Sequence, residues 1–200
     1  MTITRTRATT GLSPQAAWSQ RVRKVGGFIQ LAFAAFWLVR GALSITGVTG
    51  TVLAAAGIVL SIAVLGYAIH VSAGIGARPT SAAAKRIERS VSIATVIELV
   101  ASFAFPVIVI AAGHSDWVLP SIAITIGPLL LWLDHLVDIP RFRPVGWALT
   151  VVPFILVAVM SGSALAATTG LGAGVLLLGT ATAGFKDLST LRTPEWSGTR

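Results

Sequence analysis

Cysteine is absent from the 200 residues, and charge is scarce: only 11% of the chain is Asp, Glu, Lys or Arg. Without cysteine there is no disulfide framework, no thiol nucleophile and no thiolate metal site. A soluble domain carries about 25% charged residues, so the chain falls far outside that class. Disorder is excluded from the other direction, because it needs low hydrophobicity and 54% of this chain is hydrophobic. Familiar catalytic signatures are missing as well. There is no Walker loop, no G-x-S-x-G elbow and no H-E-x-x-H zinc motif, and the paired aspartates of lipid-alcohol phosphotransferases do not occur.

What remains is apolar sequence in long blocks, with a mean hydropathy of +0.85. A bilayer core needs about 20 apolar residues per helix, and six stretches qualify: 26–47, 51–72, 91–113, 117–137, 145–161 and 164–185. None alternates with period two, which argues against a transmembrane barrel. Helices satisfy their own backbone in lipid. The expected fold is therefore all-α, a polytopic six-transmembrane-helix bundle over 26–185. A basic segment, 1–25, precedes it and a tail, 186–200, follows it. Three short hairpin turns join the spans pairwise, at Val48–Gly50, His114–Asp116 and Gly162–Ser163, and longer basic loops join the pairs. Three parallel hairpins and an inverted repeat of three spans fit this pattern equally.

The net charge of +8 reads as topology. Arg5, Arg7, Arg21, Arg23 and Lys24 precede the first span. Arg78, Lys85, Arg86 and Arg89 lie between the second and third, Arg141 and Arg143 between the fourth and fifth, and Lys186, Arg192 and Arg200 after the sixth. Fourteen of the 15 Lys and Arg residues thus fall on one side, and the fifteenth, Arg40, is inside a span. The positive-inside rule puts that side, with both termini, in the cytoplasm. The expected location is the inner, or plasma, membrane, with anionic headgroups as counter-charge. Basic loops held against a membrane, without interleaved aromatics, argue against nucleic acid. The first span is too long for a signal-peptide core and reads as a retained anchor. Ser13-Pro14 marks a helix start. Trp18, Val22 and Val25 share a face, as a short interfacial helix would require; the alternative is a basic juxtamembrane tail.

Charged residues within spans are costly, by at least about 2.5–3.5 kcal/mol near the bilayer centre, and so mark candidate sites. Arg40 and Glu98 stand out. At 1.5 Å per residue they are separated axially by about 12 Å. Arg40 is expected either to snorkel toward the outer headgroups, with Asp116 as partner, or to reach inward. Thr95, Glu98 and Ser102 form a polar stripe, on a face that Pro106 continues. A carboxyl in such a place is protonated or hydrogen-bonded, as in a proton or cation site. Gly127-Pro128, midway along the fourth span, is a candidate helix break of the kind that marks transport sites. His70, Asp134, His135 and Asp138 lie at similar depth near the basic side. They are candidates for a metal site or proton relay, or for an interfacial cap in which Asp138 pairs with Arg141 or Arg143. Ala166, Gly170 and Gly174 make a small-residue stripe for close helix packing, within the bundle or between copies.

Glu98, Pro120, Gly127, His135, Pro140 and Gly146-Trp147 together resemble a pattern in uncharacterised small bacterial integral membrane proteins. Those carry an intramembrane Glu, a Pro in the outer turn, a Gly in the next span, then a His and a Pro-ended loop. The resemblance implies a six-helix membrane bundle and brings no activity with it. In size and helix number the chain also resembles the acid-resistance membrane protein family and the substrate-binding subunits of vitamin transporters. The leading expectation is a small transporter or channel-like protein for a proton, cation or small solute, with no cofactor. The alternatives are an accessory subunit that binds a membrane partner or a second copy, and a metal-dependent membrane enzyme.

Overall fold

The computed structural model describes residues 20–73 and 82–190. Among the described residues the protein is all-helical, without strands, and six of its helices are long and apolar enough to cross a bilayer. These are α1 (Gly27–Leu43), α2 (Val48–Ser72), α3 (Ala82–Ala111), α4 (Val118–Val137), α5 (Phe142–Val159) and α6 (Gly162–Thr190). A π-helical turn, Val22–Gly26, leads into α1, and a 3-10 turn, Ser115–Trp117, leads into α4.

The six spans occur where hydropathy puts them, but their ends move. Helical structure before α1 begins by residue 20 and continues without interruption into the first span. The expected 1–25 segment is therefore no separate surface helix over residues 20–25. Val22 is buried in the core, and the segment packs on α6. Ser13, Pro14 and Trp18 lie outside the described residues. The first span ends at Leu43 rather than residue 47, and the sixth begins at Gly162 and runs on to Thr190, into the expected tail. α3 starts nine residues earlier than the apolar run, at Ala82. At 1.5 Å per residue α3 is about 45 Å long, more than the hydrocarbon thickness of about 30 Å. The excess is the charged turn pair carrying Lys85, Arg86, Glu88 and Arg89. Gly47, Gly113 and Gly162, one beside each short hairpin turn, all have positive φ, a conformation that glycine adopts without steric cost.

α6 is the hub. Its largest contact is with α1, and α2, α4 and α5 also pack on it. The α1–α6 crossing depends on missing side chains. A Cβ on Gly170 would lie 2.5 Å from the Gly41 Cα, and one on Gly41 would lie 2.5 Å from the Leu171 backbone nitrogen. One turn further along, Gly174 seats Leu38. The stripe of Ala166, Gly170 and Gly174 thus serves the bundle interior, with Ala166 packed against the core cluster. Its glycine face is filled by α1, which corrects the alternative of a dimer interface there.

Polar contacts tie the two ends of the bundle. At one end the Asp187 carboxylate, on the last turn of α6, pairs with Arg141 in the α4–α5 connection and with Arg23 before α1, the latter at 3.4 Å. At the other end the Asp116 carboxylate accepts the Gly162 backbone N–H at 3.0 Å. One short turn thereby caps the helix that starts at another, because the first backbone N–H groups of a helix have no partner within it. In the core, Trp37 and Phe185 are fully buried, and Phe28 meets Phe185 edge to face with centroids 5.2 Å apart.

α3 is the outlier. It packs chiefly on α4, and none of its apolar stretch is buried. α1 and α3 make at most marginal contact, which leaves a groove between them.

Candidate functional site

The groove is a cavity of about 250 Å³. α1 and the turn before it supply one wall, from Arg21 at one end to Gln30 and Phe33 at the other. α3 supplies the opposite wall with Val91, Thr95, Glu98 and Leu99, and Ile126, Leu130 and Leu133 of α4 form the floor. The lining is overwhelmingly apolar. Val25, Ile29 and Leu99 are exposed at the helix flanks, so the groove opens sideways between α1 and α3.

Glu98 is half-buried, and its Oε1 accepts a hydrogen bond from the Ser102 hydroxyl at 2.9 Å. Ser102 in turn meets the Thr125 hydroxyl of α4 at 2.6 Å, and Thr125 donates to the Ile122 carbonyl at 2.8 Å. The result is a ladder from carboxyl to hydroxyl to hydroxyl to carbonyl, crossing from α3 to α4. Proton counting gives it a property. The ladder has three contacts, and each hydroxyl supplies one proton. With Glu98 ionised two contacts are filled. With Glu98 protonated the acid donates to Ser102, Ser102 to Thr125 and Thr125 to Ile122, and all three are filled. Both states of the acid therefore have a hydrogen-bonded arrangement, reached by turning hydroxyls without moving helices. Among the described residues no ion pair forms on Glu98.

Thr95 follows Glu98 into the groove wall, although its hydroxyl is spent on the Val91 carbonyl at 2.9 Å. Gly127 and Pro128 do not break α4, which continues through both to Val137. This corrects the expected break, and the glycine has a packing role instead. A Cβ on Gly127 would lie 2.1 Å from the Thr150 Oγ1 and 2.6 Å from the Gly146 carbonyl, so α4 and α5 approach through this glycine. Pro128 is exposed on a second groove, on the far side of the α3–α4 seam, which Glu98 and Thr125 also line.

The other candidates do not gather around the acid. Arg40 is exposed on the last turn of α1, where its carbonyl accepts the Ser44 hydroxyl. Asp116, its expected partner, holds the Gly162 N–H instead. His70 and His135 are exposed, Asp134 is half-buried, and Asp138 is exposed with a φ of 51° at the end of α4. Among the described residues no three His, Asp or Glu side chains come together to hold a metal ion. The metal site expected from His70, Glu98, Asp134 and His135 is corrected accordingly. The acids and imidazoles belong to separate helix ends, while Glu98 is turned into the groove. The expected pairing of Asp138 with Arg141 or Arg143 is corrected too: among the described residues neither ion pair forms, and Arg141 turns to Asp187 on α6. Sequence reasoning missed Asp187, Gln30 and Thr125. Gln30 and Thr125 carried a local signal, a polar side chain inside an apolar run.

Comparison with known proteins finds no matching family model, no matching curated protein and no matching solved structure.

Proposed function

We propose that the protein is a small membrane transporter or channel-like protein, in which Glu98 takes up and releases a proton, cation or small solute. One observation carries this reading. A carboxyl with no ion pair among the described residues is set within a candidate span, opens onto a lateral groove, and belongs to a hydrogen-bond ladder that accommodates both of its protonation states. Intramembrane acids are costly and are characteristic of ion pathways and proton relays. The one-sided distribution of Lys and Arg supports an orientation with both termini in the cytoplasm and residence in the plasma membrane.

The test is flux through purified protein in liposomes, read with an enclosed pH dye under an imposed potential. Wild-type protein is expected to pass protons. Glu98→Gln keeps the shape and a hydrogen-bonding group but cannot ionise. It is expected to reduce flux by about tenfold or more, a barrier increase of about 1.4 kcal/mol. Unchanged flux in Glu98→Gln removes the acid from the pathway.

A second reading, a non-catalytic accessory subunit, rests on a different observation. None of α3's apolar stretch is buried, and Val96, Val100, Phe103 and Val107 all stand exposed. Such a flank suits a partner helix as well as lipid. Crosslinking and native mass spectrometry in lipid separate the two readings, and a solitary monomer counts against the accessory role.

A further inference from the structure

We propose that the groove between α1 and α3 binds an amphipathic organic cation, which reaches Glu98 sideways from the bilayer. This deepens the transport reading and rests on it for its physiological meaning. Charge complementarity identifies the occupant. Apart from Gln30, the lining is apolar from Val25 to Phe33 on one side, and Val91 and Leu99 are apolar on the other, so the wall suits a hydrocarbon or aromatic body. The carboxylate of Glu98 has the Ser102 hydroxyl as its polar partner and no ion pair among the described residues. A cationic head compensates the ionised form of Glu98, whereas an anionic head opposes it and a neutral body adds nothing to the single Ser102 contact. At about 250 Å³ the cavity is near the lower end of small-molecule sites, which run from about 300 Å³, so the body is of the order of one or two rings.

The route follows from the other charge on the groove. Arg21 lines the end near Val91. Seven residues separate Val91 from Glu98, about 10 Å along the helix. The axial path from that end passes the Arg21 side chain before it reaches Glu98. One passing between the α1 and α3 flanks, across exposed Ile29 and Leu99, avoids it. An amphipathic cation concentrates in the bilayer at the level of those flanks, whereas a hydrophilic one such as potassium does not.

The experiment is equilibrium binding to the full chain in phosphatidylcholine nanodiscs, with three probes of similar shape: benzyltrimethylammonium, its neutral analogue neopentylbenzene, and the anion benzenesulfonate. Nanodiscs have no enclosed volume, so binding is read independently of flux. Saturable binding of the ammonium is expected, with benzenesulfonate failing to compete. Glu98→Gln is expected to weaken ammonium binding by about tenfold or more, the loss of a single ion-pair contact, since a quaternary ammonium has no N–H to donate, and to leave the neutral analogue unchanged. Ile29→Trp, at an exposed flank position, fills the groove while keeping the acid and is expected to reduce binding of both the ammonium and the neutral analogue. Equal ammonium affinity in wild type and Glu98→Gln, or equal affinity for the cation and the anion, overturns the proposal. Ammonium binding with neither proton nor ammonium flux in liposomes retains the ligand class and sinks the transport reading. Glu98-dependent flux without ammonium binding does the reverse.

Discussion

Adding one methyl group to Gly170 is the sharpest perturbation of the bundle that the structure offers. The Cβ of an alanine there would lie 2.5 Å from the Gly41 Cα and 2.8 Å from the Gly41 nitrogen. Comfortable carbon–carbon contacts are about 3.5–4.0 Å, so α1 and α6 would have to separate by about 1 Å. The obstructing atoms are backbone, and no side-chain rotation relieves them. Overpacking of this kind costs about 1–3 kcal/mol. Replacing a helical glycine by alanine also stabilises a helix, by about 1 kcal/mol, so the clash has to be isolated from that gain. Gly172 serves as the control. It lies two residues away on the same helix, and a Cβ there meets nothing within 4 Å. The propensity gain is common to both variants and cancels in the comparison. Gly170→Ala is therefore expected to be less stable than Gly172→Ala by about 1–3 kcal/mol. At about 2–4 °C per kcal/mol for a chain of this length the gap in Tm is several degrees. Reversible unfolding in mixed micelles, titrated with dodecyl sulfate and followed by circular dichroism, gives the free energies. Equal stability of the two variants, within about 0.3 kcal/mol, would refute a backbone-to-backbone crossing at Gly41 and Gly170.

Three further outcomes follow from the polar contacts and the charge distribution. Asp187→Asn releases two guanidiniums at once and is expected to cost about 1–2 kcal/mol, more than Arg141→Ala, which leaves the Arg23 contact in place; the same unfolding assay ranks them. Asp116→Ala removes the acceptor for the Gly162 N–H and is expected to cost about 0.5–2 kcal/mol, as loss of a cap does. In a double-mutant cycle its coupling to Arg40→Gln should be under about 0.5 kcal/mol, because the two side chains are not paired. Alkaline phosphatase fused after residue 47, 113 or 161 is expected to be active, and fused after residue 200 inactive, in line with one-sided Lys and Arg; the opposite pattern would invert the proposed orientation.

Hydropathy made the six spans legible because it integrates over about 20 residues, and one misread residue hardly changes the sum. Their ends depend on single residues. Ile45, Thr46 and Gly47 carry no charge that would mark an end, and the turn is visible only in the backbone, in the Ser44 and Ile45 turn bonds and the φ of 82° at Gly47. The α6 extension was hidden for a related reason: Lys186 and Asp187 read as the start of a polar tail, whereas helix continues through them because Asp187 has partners. Those partners are distant, Arg141 being 46 residues away, and nothing local announces them. Gly127 was visible as an unusual residue, but its meaning was not. A glycine before a proline reads as a weakened helix, and whether it is a break or a crossing depends on Gly146 and Thr150 of a neighbouring helix. The stripe of Thr95, Glu98 and Ser102 was legible because all three are on one helix with fixed spacing. Its partner Thr125 was not, because helix order in the bundle is not written in local sequence.

Where polar atoms go in this bundle also bears on why the acid faces a groove. Most hydroxyls inside the spans are spent within their own helix: Ser61, Thr150, Thr180 and Thr182 each donate to the carbonyl four residues back, the local bond that serine and threonine make in helices. They satisfy themselves and place no demand on a neighbour. Ser102 is different, since its hydroxyl joins Glu98 and Thr125 and so couples α3 to α4. This contact matters more for α3 than for any other helix, because α3 packs chiefly on α4 and has no other broad interface. Loss of Ser102 would leave both the acid and Thr125 without their cross-link, and would loosen the helix that forms one wall of the groove. The ladder therefore does two things in one helix: it fixes the acid at the cavity, and it joins the groove wall to α4. A change in the protonation of Glu98 alters how many of the ladder's three contacts carry a proton, and the Ser102–Thr125 contact between α3 and α4 can be filled in either state.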